Sequence, residues 1–193
     1  MNARRLGSRT MAAVAAAMLL SACWSGPALF TARDATPRVI EDGIYMIDEP
    51  GSRELAEAGP EEGLKVVNQA DGSMRVTAGD NNRYDMRVLA VSVSAPADRR
   101  FVLQVTTFGE RDDRYASYAL LDARTKPARA TLLRCDRDTQ RLATASGGSV
   151  SRDPNTMAAC DFTDRNVLLS QLKRVAAMEM ASRDVVELTP YRP

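Results

Sequence analysis

Histidine is absent from the 193-residue sequence. Because histidine is the commonest general base and a frequent metal ligand, its absence excludes Ser-His and Cys-His nucleophilic sites. Aromatic residues are also scarce, at 5% of the chain, which argues against a stacking surface for single-stranded nucleic acid. The charges nearly cancel, with 26 basic and 25 acidic residues, so the basic excess of a nucleic-acid-binding protein is missing. We therefore predict no nucleic-acid partner.

Motifs that mark an active site are missing as well. The sequence contains neither a glycine-rich phosphate loop nor a Gly-x-Ser-x-Gly nucleophile motif. Ser170 and Lys173 have the Ser-x-x-Lys spacing, in which a lysine one helical turn away deprotonates a serine nucleophile. No Lys-Thr-Gly motif follows, and the same spacing is common on exposed helices. We assign no catalytic residue and no cofactor.

Acidic residues cluster in three places, which makes a carboxylate hydrolase or a cation site the next alternative. The clusters are Asp112-Asp113, Asp136 with Asp138, and Asp80 with Asn81-Asn82. A calcium ion could use Asp80, Asn82 and Asp85. A hydrolase would need two carboxylates at a set separation in one cleft, and a calcium loop would need a bidentate glutamate that does not follow here. Each cluster has an arginine beside it, so solvated ion pairs are the favoured interpretation. We predict no metal site.

The first 23 residues have three parts. Arg4, Arg5 and Arg9 precede an apolar run of ten residues, Met11 to Leu20, which is too short to span a bilayer that needs about 20. The run ends in Leu20-Ser21-Ala22-Cys23. This segment resembles the lipobox of bacterial lipoproteins, and the resemblance covers only residues 1–23. It implies transfer of a diacylglyceryl group to the Cys23 thiol, cleavage before Cys23, and acylation of the new N terminus.

The lipobox resemblance also implies a location. The protein would be lipid-anchored in the cell envelope, with the membrane as a partner through Cys23. Trp24 occupies the position where an aspartate favours inner-membrane retention in this family, so an outer-membrane location facing the periplasm is expected. The alternative is an ordinary secretory signal cut near Ala22 without lipidation.

Three segments follow from this interpretation. Residues 1–22 form the signal peptide. Residues 23–37 show no apolar periodicity and contain two prolines, so they are predicted to be a tether. Residues 38–193 form a single β-rich domain.

The domain is predicted to be α+β. Alternation such as Leu89, Val91 and Val93 on one face, with turn signals every eight to fifteen residues, favours an antiparallel meander in a curved sheet. Closure into a barrel is an open alternative. One amphipathic C-terminal helix is predicted over residues 163–181, capped by Asp161 or Thr163.

The chain contains three cysteines. With Cys23 assigned to the lipid, Cys135 and Cys160 remain, and an isolated pair in an exported protein is most simply a disulfide. Two separated thiols in redox chemistry and two unpaired structural thiols are the alternatives.

Three aromatic residues, Phe108, Tyr115 and Tyr118, surround the charged segment 109–114, which contains Arg111 and Arg114. Tyr115 and Tyr118 would point to opposite faces of a strand, one into the core and the other outward. Together with Arg111 and Arg114 they are predicted to form a partner-binding edge, with ordinary strand packing as the alternative.

The leading functional interpretation is therefore a membrane-anchored, non-enzymatic binding or assembly module in the periplasm, with another envelope protein as its partner. The alternatives are a small periplasmic hydrolase that uses carboxylates or the Ser170–Lys173 pair, and a barrel that binds a small ligand.

Overall fold

The computed structural model describes residues 24–48, 60–78, 84–108, 115–133, 135–145, 147–151, 159–177 and 185–192. Its strands are β1 (Trp24–Gly26), β2 (Gly43–Asp48), β3 (Leu64–Asn68), β4 (Met74–Ala78), β5 (Tyr84–Ser92), β6 (Arg100–Thr107), β7 (Ala116–Asp122), β8 (Ala128–Leu132), β9 (Ser149–Ser151), β10 (Ala159–Asp161) and β11 (Val185–Pro190). The helices described are α1 (Arg137–Ala145) and α2 (Arg165–Ala177).

Eight of these strands form a closed antiparallel barrel. Strands β2 to β8 pair in sequence order, and β11 returns between β8 and β2 to close the ring. The predicted antiparallel meander is thus confirmed. The meander closes into a barrel, which was the alternative that the sequence allowed. The described residues are mostly β, so the α+β label fits only roughly.

The barrel interior is an apolar core built by alternation along each strand. On β5 the inward residues are Met86, Val88 and Ala90, and on β6 they are Phe101 and Leu103. Their register partners across the β5–β6 ladder lie on the same face, since paired residues in a sheet share a side. The remaining side chains of each barrel strand therefore point to the outside of the barrel.

A second apolar core lies outside the barrel wall, because β5, β6 and β7 also carry buried apolar side chains on their outward faces. The outward residues Leu89, Val102 and Leu120 belong to this outer core. Helix α2 covers them with Leu168 and Leu172, both fully buried. The guanidinium of Arg100 on β6 donates to the carbonyl of Ala176 at 2.9 Å, which fixes the end of α2 to the barrel.

A short ribbon extends the sheet beyond the barrel. Strand β1 pairs antiparallel with the start of β7 and parallel with β10, and β10 pairs with β9. A disulfide joins Cys160 on β10 to Cys135, with the two Cα atoms 5.4 Å apart. The predicted disulfide is therefore confirmed, and it ties the ribbon to the segment after β8.

The predicted tether is wrong for the described residues 24–37. Trp24 is only 1% exposed and lies in strand β1, and Phe30 is buried in the outer core. The sequence shows no periodicity here because β1 has only three residues and the following segment contains only one short 3-10 helix, Ala32–Asp34. This segment is part of the folded domain.

The helices differ from the prediction in two respects. Helix α2 begins at Arg165, and Asp164 caps it by accepting hydrogen bonds from the backbone nitrogens of Asn166 and Val167; Asp161 and Thr163 do not form this cap. The predicted end at residue 181 lies outside the described residues. Helix α1 was not predicted; Asp136 caps it through bonds from the nitrogen and hydroxyl of Thr139.

Candidate functional site

The start of β1 is the described part of the chain that directly follows Cys23 in the sequence. Trp24 follows Cys23 directly and is the register partner of Cys160 on β10. Its ring packs against Phe162, with the ring centroids 4.7 Å apart. On the next residue, Ser25, the carbonyl accepts a bond from the nitrogen of Phe162 at 2.9 Å. Trp24, the residue after Cys23, is thus held by strand pairing and by a buried aromatic contact.

Side chains of the barrel wall hold the segment that follows β1. The amide of Gln104 makes two bonds with the backbone of Phe30, accepting from its nitrogen at 2.9 Å and donating to its oxygen at 3.0 Å. The hydroxyl of Tyr118 donates to the carbonyl of Pro27 at 2.5 Å and accepts from the nitrogen of Leu29 at 3.3 Å. These bonds replace the strand pairing that this segment lacks.

A polar cluster occupies the other face of β1. The hydroxyl of Ser25 donates to the carboxylate of Asp161 at 2.5 Å, and the hydroxyl of Tyr115 donates to the Ser25 oxygen at 2.8 Å. The Tyr115 hydroxyl also lies 3.4 Å from the same carboxylate oxygen. Ser25 is 2% exposed, whereas Tyr115 is 60% exposed.

The hydrogen bonds of this cluster stabilise the fold and do not form a nucleophilic site. A serine nucleophile needs a base to take its proton and room for a substrate at its oxygen. Ser25 is buried, and it already donates to Asp161 and accepts from Tyr115. The cluster therefore ties β1, β10 and the start of β7 together and leaves the Tyr115 ring facing outward.

The two predicted tyrosines behave as the alternation predicts. Tyr118 is fully buried in the outer core and Tyr115 is exposed, so the prediction of opposite faces is confirmed. Burial raises the pKa of Tyr118 above its ordinary value, opposed by its bond from Leu29. Arg111 and Arg114 lie outside the described residues, and the two tyrosines lie on opposite faces, so the described residues do not bring the predicted edge together.

The hydrolase candidates are not drawn together in the described part of the chain. The hydroxyl of Ser170 donates to the carbonyl of Val167 at 2.8 Å, and both Ser170 and Lys173 are exposed on α2. Asp136 caps α1, and Asp85 forms an ion pair with Arg75 at 2.6 Å. Asp112, Asp113, Asp80 and Asn82 lie outside the described residues.

Within the described residues, no cluster of three or more acidic, cysteine or histidine side chains is suited to a metal ion. None of the described helices is long and apolar enough to cross a membrane.

Sequence reasoning missed Ser25 and Asp161 as members of one cluster. They lie 136 positions apart and meet only because β1 inserts parallel to β10. A parallel pairing of two three-residue strands leaves no local pattern in the sequence.

Comparison with known proteins gives no relative: no family model, curated protein or solved structure matches this chain.

Proposed function

We propose that this protein is a lipoprotein of the bacterial cell envelope, anchored through acylated Cys23, and that its barrel domain is a non-enzymatic binding or assembly module in the periplasm. An outer-membrane location belongs to the same proposal, on the ground that Trp24 rather than an aspartate follows Cys23.

One observation carries the proposal: a cut before Cys23 keeps Trp24, which is 1% exposed and pairs with Cys160 on β10, in the mature chain. A cut one residue before Trp24 leaves β1 complete, with its pairing to β7 and β10 intact. The lipobox position and the start of β1 therefore fit one processing event.

The cysteines support the same assignment. Of the three in the chain, Cys135 and Cys160 are joined to each other, so only Cys23 remains for acylation. A disulfide also suits the oxidising periplasm, because cytosolic thiols are kept reduced.

The two alternatives have less support. Of the carboxylates that the sequence singled out, Asp136 caps α1 and Asp85 pairs with Arg75, which leaves the hydrolase alternative without a paired site in the described part of the chain. An eight-stranded barrel is just wide enough either for side chains to fill or for one small ligand. Here the inward side chains form one continuous buried cluster that includes Tyr45, Met86 and Phe101, which favours a filled interior.

The test is the chemical state of the mature N terminus. The protein, expressed with its own leader in a bacterial host, is purified from membranes and its N-terminal peptide is analysed by mass spectrometry. We expect a peptide that begins at Cys23 and carries acyl groups. In the matched Cys23→Ser variant we expect the acyl mass and the membrane association to be lost, with the Cys135–Cys160 disulfide retained. A mature wild-type protein without acyl groups would contradict the proposal.

A further inference from the structure

We infer that the exposed ring of Tyr115, with the rim of β1 and β10 beneath it, faces the bilayer and lies in its headgroup region. We call Ser25, Tyr115, Ser149 and Asp161 the anchor face. The inference rests on the proposed lipid anchor and adds the side of the domain that contacts the membrane.

The first step is the length of chain between lipid and fold. Consecutive Cα atoms are about 3.8 Å apart, so Cys23 lies within that distance of Trp24. Trp24 is fixed by β10 and by the ring of Phe162. With standard bond lengths the glyceryl carbons on a Cys23 sulfur lie within roughly 10 Å of the Trp24 Cα. An anchor at Cys23 has no flexible linker, so the surface around β1 must contact the membrane.

The second step is the chemistry of that surface. Tyr115 lies over Ser25, two residues beyond Cys23, with its hydroxyl turned toward Ser25 and Asp161. Because the hydroxyl is engaged, much of the exposed surface is aromatic ring. Tyrosine and tryptophan are enriched at the headgroup level of membranes, where a ring with one polar end is well solvated.

The third step is the contrast with the other exposed apolar side chains of the described residues. These are Val67 and Phe108. The guanidinium of Arg75 lies 4.4 Å from the centre of the Phe108 ring and covers it. Val67 is on β3, which is separated from β1 by β2, β11, β8 and β7 in the sheet. Tyr115 is thus the exposed aromatic side chain that borders the anchor.

The charges of the anchor face are compatible with a lipid surface. Asp161 is its only acid, and one oxygen of that carboxylate accepts from Ser25 and lies near the Tyr115 hydroxyl. Its register partner on β9 is the uncharged Ser149. Because Ser25 is buried, the groups that the anchor face presents are the Tyr115 ring, the Ser149 hydroxyl and the part-exposed Asp161 carboxylate.

The experiment uses the lipidated full-length protein in vesicles of phosphatidylethanolamine and phosphatidylglycerol with brominated acyl chains. The chain contains one tryptophan, Trp24, which is buried and gives a constant baseline. Tyr115→Trp places a second indole on the anchor face, and Val67→Trp is the matched control. Because an interfacial indole lies near the acyl-chain boundary, we expect brominated lipid to quench roughly half of the added emission at position 115. We expect no quenching at position 67.

A second measurement needs no substitution at position 115. Wild-type protein in vesicles and the Cys23→Ser variant in solution are treated with a water-soluble tyrosine-iodinating reagent, and peptides are mapped by mass spectrometry. We expect Tyr115 to be several-fold less modified in vesicles than in solution, while the part-exposed Tyr191 is equally modified in both.

The outcomes separate the two proposals. Acylated protein in vesicles with an unquenched indole at position 115 and an unprotected Tyr115 would overturn the orientation and leave the anchor standing. Protection of Tyr115 that requires envelope protein in addition to lipid would also overturn it, in favour of a protein partner. Absence of acyl groups on Cys23 would overturn the anchor and the orientation together.

Discussion

Gly26 shows how one residue controls the attachment of β1. Its φ of +150° lies in a region that only glycine adopts readily, and a Cβ at this position would meet the backbone oxygen of Phe162. That oxygen belongs to the backbone beside β10, so it cannot move aside as a flexible side chain can. Gly26 thus permits the close approach of β1 to the chain that follows β10.

We predict that Gly26→Ala lowers the free energy of unfolding by about 3 kcal/mol or more, since backbone strain and a steric clash add. Gly147→Ala is the matched control, because Gly147 also has a positive φ of +79° but nothing lies within 4 Å of its added Cβ. For the control we expect a loss of about 1–2 kcal/mol. Denaturant unfolding of the two variants measures the difference, and equal losses would show that the Phe162 contact is unimportant.

Tyr118 carries a second prediction for single residues, because its buried hydroxyl makes two bonds to the segment after β1. Tyr118→Phe keeps the edge-to-face contact with Phe30 but leaves the carbonyl of Pro27 and the nitrogen of Leu29 without this partner. We expect the free energy of unfolding to fall by about 1–3 kcal/mol. Tyr115→Phe, at an exposed position, is the control and should cost less.

The pH dependence of Tyr118 follows from its raised pKa. Burial keeps this hydroxyl protonated in the folded state above its ordinary pKa of 10.0, whereas the unfolded chain releases the proton there. The contribution of Tyr118 to the free energy of unfolding is therefore fully present below pH 10. It decreases as the pH rises above 10. Denaturation at neutral and alkaline pH should show a smaller alkaline loss in Tyr118→Phe than in the wild type. An identical loss in both proteins would assign the effect to other groups, such as the part-buried Tyr45.

At the scale of elements, the disulfide connects the ribbon of β1, β9 and β10 to the barrel. It closes a loop with a sequence separation of 25, which is worth about 3 kcal/mol in the chain-entropy model. In a Cys135→Ala/Cys160→Ala double variant we expect the outer core to loosen at lower denaturant than the barrel. Trp24 fluorescence reports on the outer core and far-ultraviolet circular dichroism on the strands. Coincident transitions in the variant would instead show that the two layers unfold as one unit.

The elements also show which parts of the fold the sequence predicts. Alternation in β5 and β6 is a local signal, and it predicts both strands. Closure of the barrel depends on the pairing of Leu188 with Ile47, and no local pattern specifies such a distant contact. Helix α1 has an Asp136 cap as a local signal, but its high content of polar residues conceals the one buried alanine, Ala143. The candidate site depends on β1. Its three residues are too few to show the two-residue alternation of apolar and polar side chains that marks a strand.

At the scale of the whole molecule, two apolar cores share the wall made by β5, β6 and β7. The inner face of this wall fills the barrel, and its outer face needs a cover. Helix α2 supplies part of that cover, and the segment from Trp24 to Ala35 supplies another part. The backbone nitrogen of Thr36 donates to the carbonyl of Ala90 on β5 at 2.7 Å. This hydrogen bond joins the end of the segment to the barrel wall. The N-terminal segment is therefore as much a structural layer as the helix.

This arrangement predicts the outcome of a truncation. A chain that begins at residue 38 lacks Trp24 and Phe30, and leaves Gln104 and Tyr118 without their bonds to the segment. Burial of one side chain such as Phe30 is worth about 1.5–3 kcal/mol, and a domain has only about 5–15 kcal/mol in total. We expect the truncated chain to aggregate or to bind a hydrophobic dye, whereas a matched chain beginning at residue 24 folds.

Near-ultraviolet circular dichroism of the tyrosines and denaturation midpoints compare the two chains. If the chain from residue 38 is soluble and unfolds at the same denaturant concentration, residues 24–37 are a tether and the outer core does not need them. If it fails while the longer chain folds, residues 24–37 are a structural layer, and the lipid proposed for Cys23 would be attached directly to that layer. On that proposal the fold itself would restrict motion of the domain relative to the membrane, because Cys23 directly precedes β1 in the sequence.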